Sequence, residues 1–149
     1  FLIKRDFDIL NFEQKNDSNE VQVNAGHNAY LKNFGCIHNR TVSIDKINNK
    51  IIGQDKILQK TVKSDIKYDI RFHLYPGLTA VQTIGGNTLL IQINKNKALL
   101  FSTKEKDLKI EKSIFFGGQK VLDNYCIVIS GLIENNEKTI NWEIIKNIK

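Results

Sequence analysis

The sequence contains no methionine, a single proline (Pro76), a single tryptophan (Trp142) and two cysteines. No apolar run approaches the roughly 18 residues that a membrane helix requires, so no helical span is expected. The opening segment, FLIKRDFDIL, lacks a starting Met and lacks the basic segment, long apolar run and small-residue site of a secretory leader. The chain is therefore expected to be a piece of a longer protein, and its compartment stays open. Cys36 and Cys126 are far apart and form no C-x-x-C or Cys/His pair, which argues against a cysteine metal site. Two buried thiols acting as small apolar residues is the expectation, with one disulfide as the alternative. No G-x-S-x-G, P-loop, G-x-G-x-x-G or HExxH motif occurs.

The charge is lopsided, with a formal net charge of +6 and a pI near 9.3. Nucleic acid is nevertheless not the expected partner. Lysine is spread along the whole chain beside a surplus of Asn and Ile, and no dense basic run carries interleaved aromatics. Arginine occurs three times, at Arg5, Arg40 and Arg71. A diffuse positive field suits an acidic polysaccharide equally well.

What is present is strand after strand. Apolar residues alternate between turn clusters spaced about 8–12 residues apart, the pattern of an all-β antiparallel sandwich with little or no helix. Tyr68, Ile70, Phe72 and Leu74 should face one way and Asp69, Arg71, His73 and Tyr75 the other. Pro76 should follow the end of that strand, because it has no ladder donor. Leu89–Ile93 turns through Asn94-Lys95-Asn96 into Ala98–Thr103. The continuous apolar run Tyr125–Ile129 suggests a central strand covered on both faces. Asn135-Asn136 suits a tight turn that would pair Ile129 with Trp142 and Ile127 with Ile144. The expected core is Phe72, Leu74, Ile91, Ile127, Ile129, Trp142 and Ile144. Without linkers, repeats or low-complexity tracts, residues 1–149 are expected to form one β-sandwich domain.

One hairpin carries chemistry. His38, Arg40, Val42 and Ile44 share a strand face, as do Ile51, Gly53, Asp55 and Ile57. A turn near Ile47–Asn49 brings both sets to one side of the sheet. A loop at Ile47-Asn48 puts Arg40 directly opposite Asp55, and a loop at Asn48-Asn49 makes them diagonal neighbours. Either way a guanidinium reaches a carboxylate on an apolar face, giving a structural ion pair that fixes register. The functional alternative has His38 and Arg40 lining a ligand groove. Arg71 and His73 are either the solvated face of an edge strand or part of a cleft wall.

The segments GHNAYLKNFGCIHNRTVSIDKINNKIIGQDK and IRFHLYPG also carry a resemblance. They resemble the C-terminal β-domain of heparinase II/III-like proteins, where HDGY…FG…HRR…L…G…GEDRL precedes RFHLHPG. His27, Asn28 and Tyr30 match the first piece, and Phe34, Gly35, His38 and Arg40 the second. Gly53, Gln54 and Asp55 stand where the family has GED, and Arg71 to Gly77 match the last piece. Tyr75 replaces a histidine usual at its position. The resemblance continues more weakly through Leu89–Phe101, Ile110–Phe115 and Asn141–Ile145, so it covers the chain from about Val21 onward.

The resemblance implies a C-terminal β-sandwich whose helical catalytic domain lies elsewhere in the protein. Lyases of this class remove the proton α to a uronate carboxylate and expel the 4-linked sugar. That chemistry needs a base and a group neutralising the carboxylate. The family's H-x-H-x-D segment and its D-x-G partner, which bind zinc in several members, have no counterpart here. Zinc would belong to the upstream part, and no cofactor or metal is expected in this chain. His27 could be mistaken for an earlier H-N-T motif, but Tyr30, Phe34 and Gly35 place it in the HDGY piece as a loop or strand-end residue. No catalytic residue is expected, and the candidate substrate contacts are Tyr30, His38, Arg40, Arg71, His73 and Tyr75.

Two functions follow. The first is scaffold and groove wall for an acidic glycan in a lyase, inert alone and partnered by its own N-terminal helical domain. The second is a non-catalytic sandwich that binds carbohydrate or another protein. Trp142 falls with Ile140 and Ile144 on a core face, leaving Tyr30 and Tyr75 as the plausible stacking platform.

Overall fold

The computed structural model of the chain describes residues 7–61, 66–118 and 120–147. These form two compact units, one mostly from the first 66 residues with 132–141, the other from 67–131 and the residues after Asn141. The first unit contains β1 (Ile9–Asn16), β2 (Glu20–His27), the four-residue helix α1 (Leu31–Phe34), β3 (Cys36–Asp45) and β4 (Lys50–Gln59). The second contains β5 (Lys67–His73), β6 (Thr79–Gln82), β7 (Thr88–Asn94), β8 (Lys97–Thr103), β9 (Asp107–Gly117) and β10 (Lys120–Leu132). The last strand, β11 (Glu137–Asn147), begins in the first unit and ends in the second.

In the first unit β1, β2, β3 and β4 run antiparallel in chain order, so each connection is a local hairpin. Aspartates make the turns. The Asp17 carboxylate accepts from the N–H groups of Asn19 and Glu20, both at 2.9 Å. The Asp45 carboxylate accepts from Ile47 N–H at 3.0 Å and Asn48 N–H at 2.9 Å, and Asn49 takes φ 51° to rejoin the ladder. Short polar side chains mimic a backbone turn in this way and tolerate positive φ. The turn is thus four residues, Lys46 to Asn49, between the paired Asp45 and Lys50. Its register puts Arg40 directly opposite Asp55. Gly35, at φ 69°, closes α1 and turns the chain into β3; a side chain there would also crowd Thr61. Cys36, Ile57, Ile133 and Ile140 are buried in this unit.

The second unit is an antiparallel β-sandwich. One layer runs β6-β7-β8 and the end of β11, and the other runs β5-β10-β9. Leu89 and Ile91 of β7, Phe101 of β8 and Trp142 of β11 are buried, as are Tyr68, Ile70, Leu108, Ile127 and Ile129 of the other layer. Phe72 joins the layers, with its ring edge-on to Phe101 at 5.0 Å and to Trp142 at 4.8 Å. Such tilted aromatic contacts add to the area they bury. The strand β10 is central in its layer, and Cys126 to Ile129 have no exposure on either face. The alternation read from Tyr68 to Tyr75 holds, and β5 ends before Pro76. Leu74, Ile91, Ile127, Ile129 and Trp142 are buried as expected, whereas Phe72 and Ile144 are only partly so. The two cysteines are buried and not bridged.

The Asn135-Asn136 hairpin differs from its sequence expectation. Both asparagines do take positive φ, 53° and 64°. The turn, however, does not return β11 to β10. Ile133 N–H bonds the Ile66 carbonyl at 2.9 Å, and the Asn136 carbonyl accepts from Gln59 N–H at 2.8 Å, so the chain is led to β4 instead. Ile127 pairs with Ile110 and Ile129 with Leu108, while Trp142 pairs with Thr103 and Ile144 with Phe101. Strand β10 instead lies between β5 and β9, and is joined to β9 just after Gly117, with Gly118 at φ 62°.

Truncating Ile129 to Ala in this fully buried strand should cost about 2–5 kcal/mol. Urea unfolding of the variant checks it, and a loss below about 1 kcal/mol would place Ile129 outside the core.

Candidate functional site

The polar cluster of the first unit is built across three neighbouring strands. His27 ends β2, His38 lies directly opposite it on β3, and Asp55 of β4 lies opposite Arg40 two residues further along β3. Asp55 is fully buried. One of its carboxylate oxygens accepts from His38 Nε2–H at 2.7 Å and from Arg40 Nε–H at 2.6 Å. His38 Nδ1 faces His27 Nε2 at 3.2 Å, and His27 Nδ1 accepts from the Ala29 backbone N–H at 3.3 Å. That last bond fixes the direction of the whole series. With Nδ1 of His27 an acceptor, its proton sits on Nε2 and is donated to His38 Nδ1, whose own proton then sits on Nε2 and is donated to Asp55. All four ring nitrogens are occupied.

The surroundings reinforce this arrangement. The His27 ring contacts Phe7 at 5.9 Å and Tyr30 at 5.4 Å, and Tyr30 meets Phe34 edge-on at 6.4 Å. Burial, and then the proximity of His38, push the His27 pKa below the ordinary imidazole value. The His38 side chain is 17% exposed and that of Arg40 36%, so the cluster opens to solvent mainly at the guanidinium. Its positive charge is matched by the carboxylate beneath it. Among the described residues no three His, Cys, Asp or Glu side chains converge as a metal ion needs.

The other candidates lie in the second unit, on the face of β5 away from the sandwich core. The Arg71 guanidinium donates to Glu111 at 2.7 Å and to Asp69 at 2.8 Å. Glu111 and then Asp69 raise the Arg71 pKa, and Arg71 in turn holds Glu111 below the usual carboxylate range. His73 Nδ1 lies 3.1 Å from the Ser113 hydroxyl. Tyr75 is 69% exposed, with its ring edge-on to Phe115 at 5.6 Å. The structure therefore gathers His38, Arg40 and Tyr30 in one unit and Arg71, His73 and Tyr75 in the other.

The comparisons bear on this layout. The family model described as heparinase II/III-like, C-terminal, matches residues 2–143. The chain belongs to the heparinase II/III-like C-terminal family. No curated protein matches it in sequence. Among solved structures, heparan sulfate lyase HepC from Pedobacter heparinus superposes with a TM-score of 0.77 at 11% identity, over 96% of this chain and 22% of that one. A heparinase III structure gives 0.65 at 13% identity, over 94% of this chain and 21% of that one. The heparinase II/III-like chain thus spans about a fifth of the length of those lyases, and the likeness shows a shared fold.

Two features escaped the sequence. His27 is an integral part of the cluster, and the signal was available: His27 precedes the short Asn28–Gly35 connection, His38 is the third residue after it, and the β2–β3 hairpin makes them opposite. The partners of Arg71, His73 and Tyr75 on β9 had no such signal, because β9 is separated from β5 by β10.

Removing the Asp55 carboxylate should destabilise the fold by about 3 kcal/mol, the low end for a broken buried pair, because Arg40 keeps part of its surface in water. Chemical denaturation of Asp55→Ala checks this; a cost like that of a surface pair, about 1 kcal/mol or less, would contradict it. The depressed His27 pKa has a pH consequence. The folded chain binds this proton less readily than the unfolded chain, so the contribution is fully present above the ordinary histidine pKa. It is lost as pH falls from there through the folded value. His27→Gln should flatten that acid-side decline, and an unchanged slope would remove His27 as its cause.

Proposed function

We propose that this heparinase II/III-like chain serves a polysaccharide lyase as scaffold and as one wall of the groove that receives an acidic glycan, without supplying catalytic groups. The observation that supports this most directly is the consumption of its ionisable side chains by one another. His38 uses both ring nitrogens, Arg40 meets Asp55, and Arg71 meets Asp69 and Glu111. An acid or base must keep a nitrogen or oxygen within reach of the substrate proton. The His27–His38–Asp55–Arg40 series instead ties β2, β3 and β4 together. It holds Tyr30, which is 48% exposed, beside His27. Groups presented outward are Tyr30, His73 and Tyr75, which suit hydrogen bonding and stacking to sugars more than proton abstraction. The zinc and base that the family's chemistry calls for would come from an N-terminal helical domain. The alternative, a non-catalytic glycan-binding or protein-interaction domain, draws on the exposure of Tyr75.

The test is the absorbance of the unsaturated uronate product with heparan-, alginate- and hyaluronan-type substrates. The 149-residue chain should form no product, and the natural full-length gene product should form it with one of them. Product formation by the chain alone would overturn the scaffold role. A full-length protein that binds glycan but cleaves none of them would favour the second reading.

A further inference from the structure

The outer face of the β5-β10-β9 layer is organised in three successive rungs. Side chains two positions apart on a strand point the same way and stand about 7 Å apart. Arg71, His73 and Tyr75 therefore form one row, and Glu111, Ser113 and Phe115 the other. The rows meet in order: Arg71 with Glu111, His73 with Ser113, Tyr75 with Phe115. The strand β10 runs between them, and its Cys126, Asn124 and Leu122 are opposite Glu111, Ser113 and Phe115. Each rung thus bridges over β10. The first two cover what lies below, and Cys126 and Asn124 are buried. The third does not, and Leu122 stays exposed beside Tyr75 and Phe115.

The middle rung holds an unmet polar atom. Asn124 is 5% exposed, and its Nδ2–H donates to the Leu74 carbonyl at 2.7 Å. Its Oδ1 is buried with no hydrogen-bond partner among the described residues. An acceptor left this way is costly, and a donor that reaches it gains accordingly. His73 is exposed, so an arriving hydroxyl can replace the His73–Ser113 contact and donate to Asn124, which lies opposite Ser113. Next to it Tyr75, edge-on to Phe115, presents an exposed ring face. At the first rung, by contrast, the guanidinium already lies between two carboxylates, and Lys109 adds a second cation on Glu111 at 3.2 Å. The charges balance locally.

We propose that this end of the layer is a subsite for an uncharged sugar unit. The C–H face of a pyranose stacks on Tyr75 beside Phe115 and Leu122, and its hydroxyls engage His73, Ser113 and Asn124 Oδ1. The neutralised Arg71 leaves a uronate carboxylate no reason to settle there. The choice of a sugar as occupant rests on the proposed glycan role; the geometry of stacking plus unmet acceptor does not.

The test is a titration of the isotopically labelled chain with N-acetylchitotetraose and, separately, with a uronate-containing tetrasaccharide, followed by nuclear magnetic resonance. The uncharged probe should shift the amides of His73, Ser113, Tyr75 and Phe115 and the side-chain amide of Asn124. Tyr75→Ala, at an exposed position that folding does not need, should weaken binding about tenfold or more. Raising salt to about 0.5 M should leave the affinity nearly unchanged, because no ionic contact is involved. No shift with the uncharged probe would overturn the subsite, as would binding that survives Tyr75→Ala. A response to the uronate probe alone, lost with salt, would overturn it in favour of Arg71 as a carboxylate site. Lyase activity in the full-length protein that is indifferent to Tyr75→Ala would leave the lyase role standing and remove the subsite. Binding of the uncharged probe by a protein with no lyase activity would do the reverse.

Discussion

A fully buried carboxylate on an apolar strand face is the constraint around which the first unit is arranged. An isolated charge in that position would cost several kcal/mol, so Asp55 requires donors, and the β3–β4 register supplies two of them at 2.7 and 2.6 Å. The register itself comes from the Asp45 turn, and a slip of one residue would turn Arg40 and His38 to the other face. Turn chemistry, register and burial are therefore one linked condition. His27 extends the condition to β2. Its Nδ1 is fixed by the Ala29 N–H, and the direction of each following bond is then determined up to the carboxylate.

The second unit solves a different problem with similar means. Its sandwich core is apolar and aromatic, closed by Phe72 against Phe101 and Trp142. Its polar groups are on the outside, where Arg71 lies between Asp69 and Glu111 over buried Cys126, whose thiol pKa is pushed up by its burial. In both units the arginine named as a candidate glycan contact has an internal carboxylate. Among the described residues the excess positive charge is therefore spread over dispersed lysines, as a diffuse field.

Much of this was legible in the residues, and the failures have causes. Period-2 alternation gave Tyr68–Tyr75 its two faces, and the apolar run Tyr125–Ile129 gave a central strand, because burial on both faces leaves no room for polar alternation; Tyr125, at its start, is exposed. The Arg40–Asp55 contact followed from counting residues across a hairpin. The motifs around His27–Arg40 and Arg71–Gly77 also pointed to the family that the model matches over residues 2–143. Local information failed where the fold is non-local. Asn135 and Asn136 announce a turn by their tolerance of positive φ, but nothing in a turn says which strand receives the chain after it. The rungs joining β5 to β9 were hidden for the same reason, since they cross a strand that comes later in sequence than either.

The central claim is that His27 and His38 belong to a structural series of fixed direction that ends on Asp55. The most direct measurement is two-bond proton–nitrogen correlation of the histidine rings at neutral pH, which reports which nitrogen carries each proton. Both His27 and His38 should carry it on Nε2, with Nδ1 of each an acceptor. A proton on Nδ1 of either ring would contradict the series, and would return His38 to the set of side chains available for chemistry.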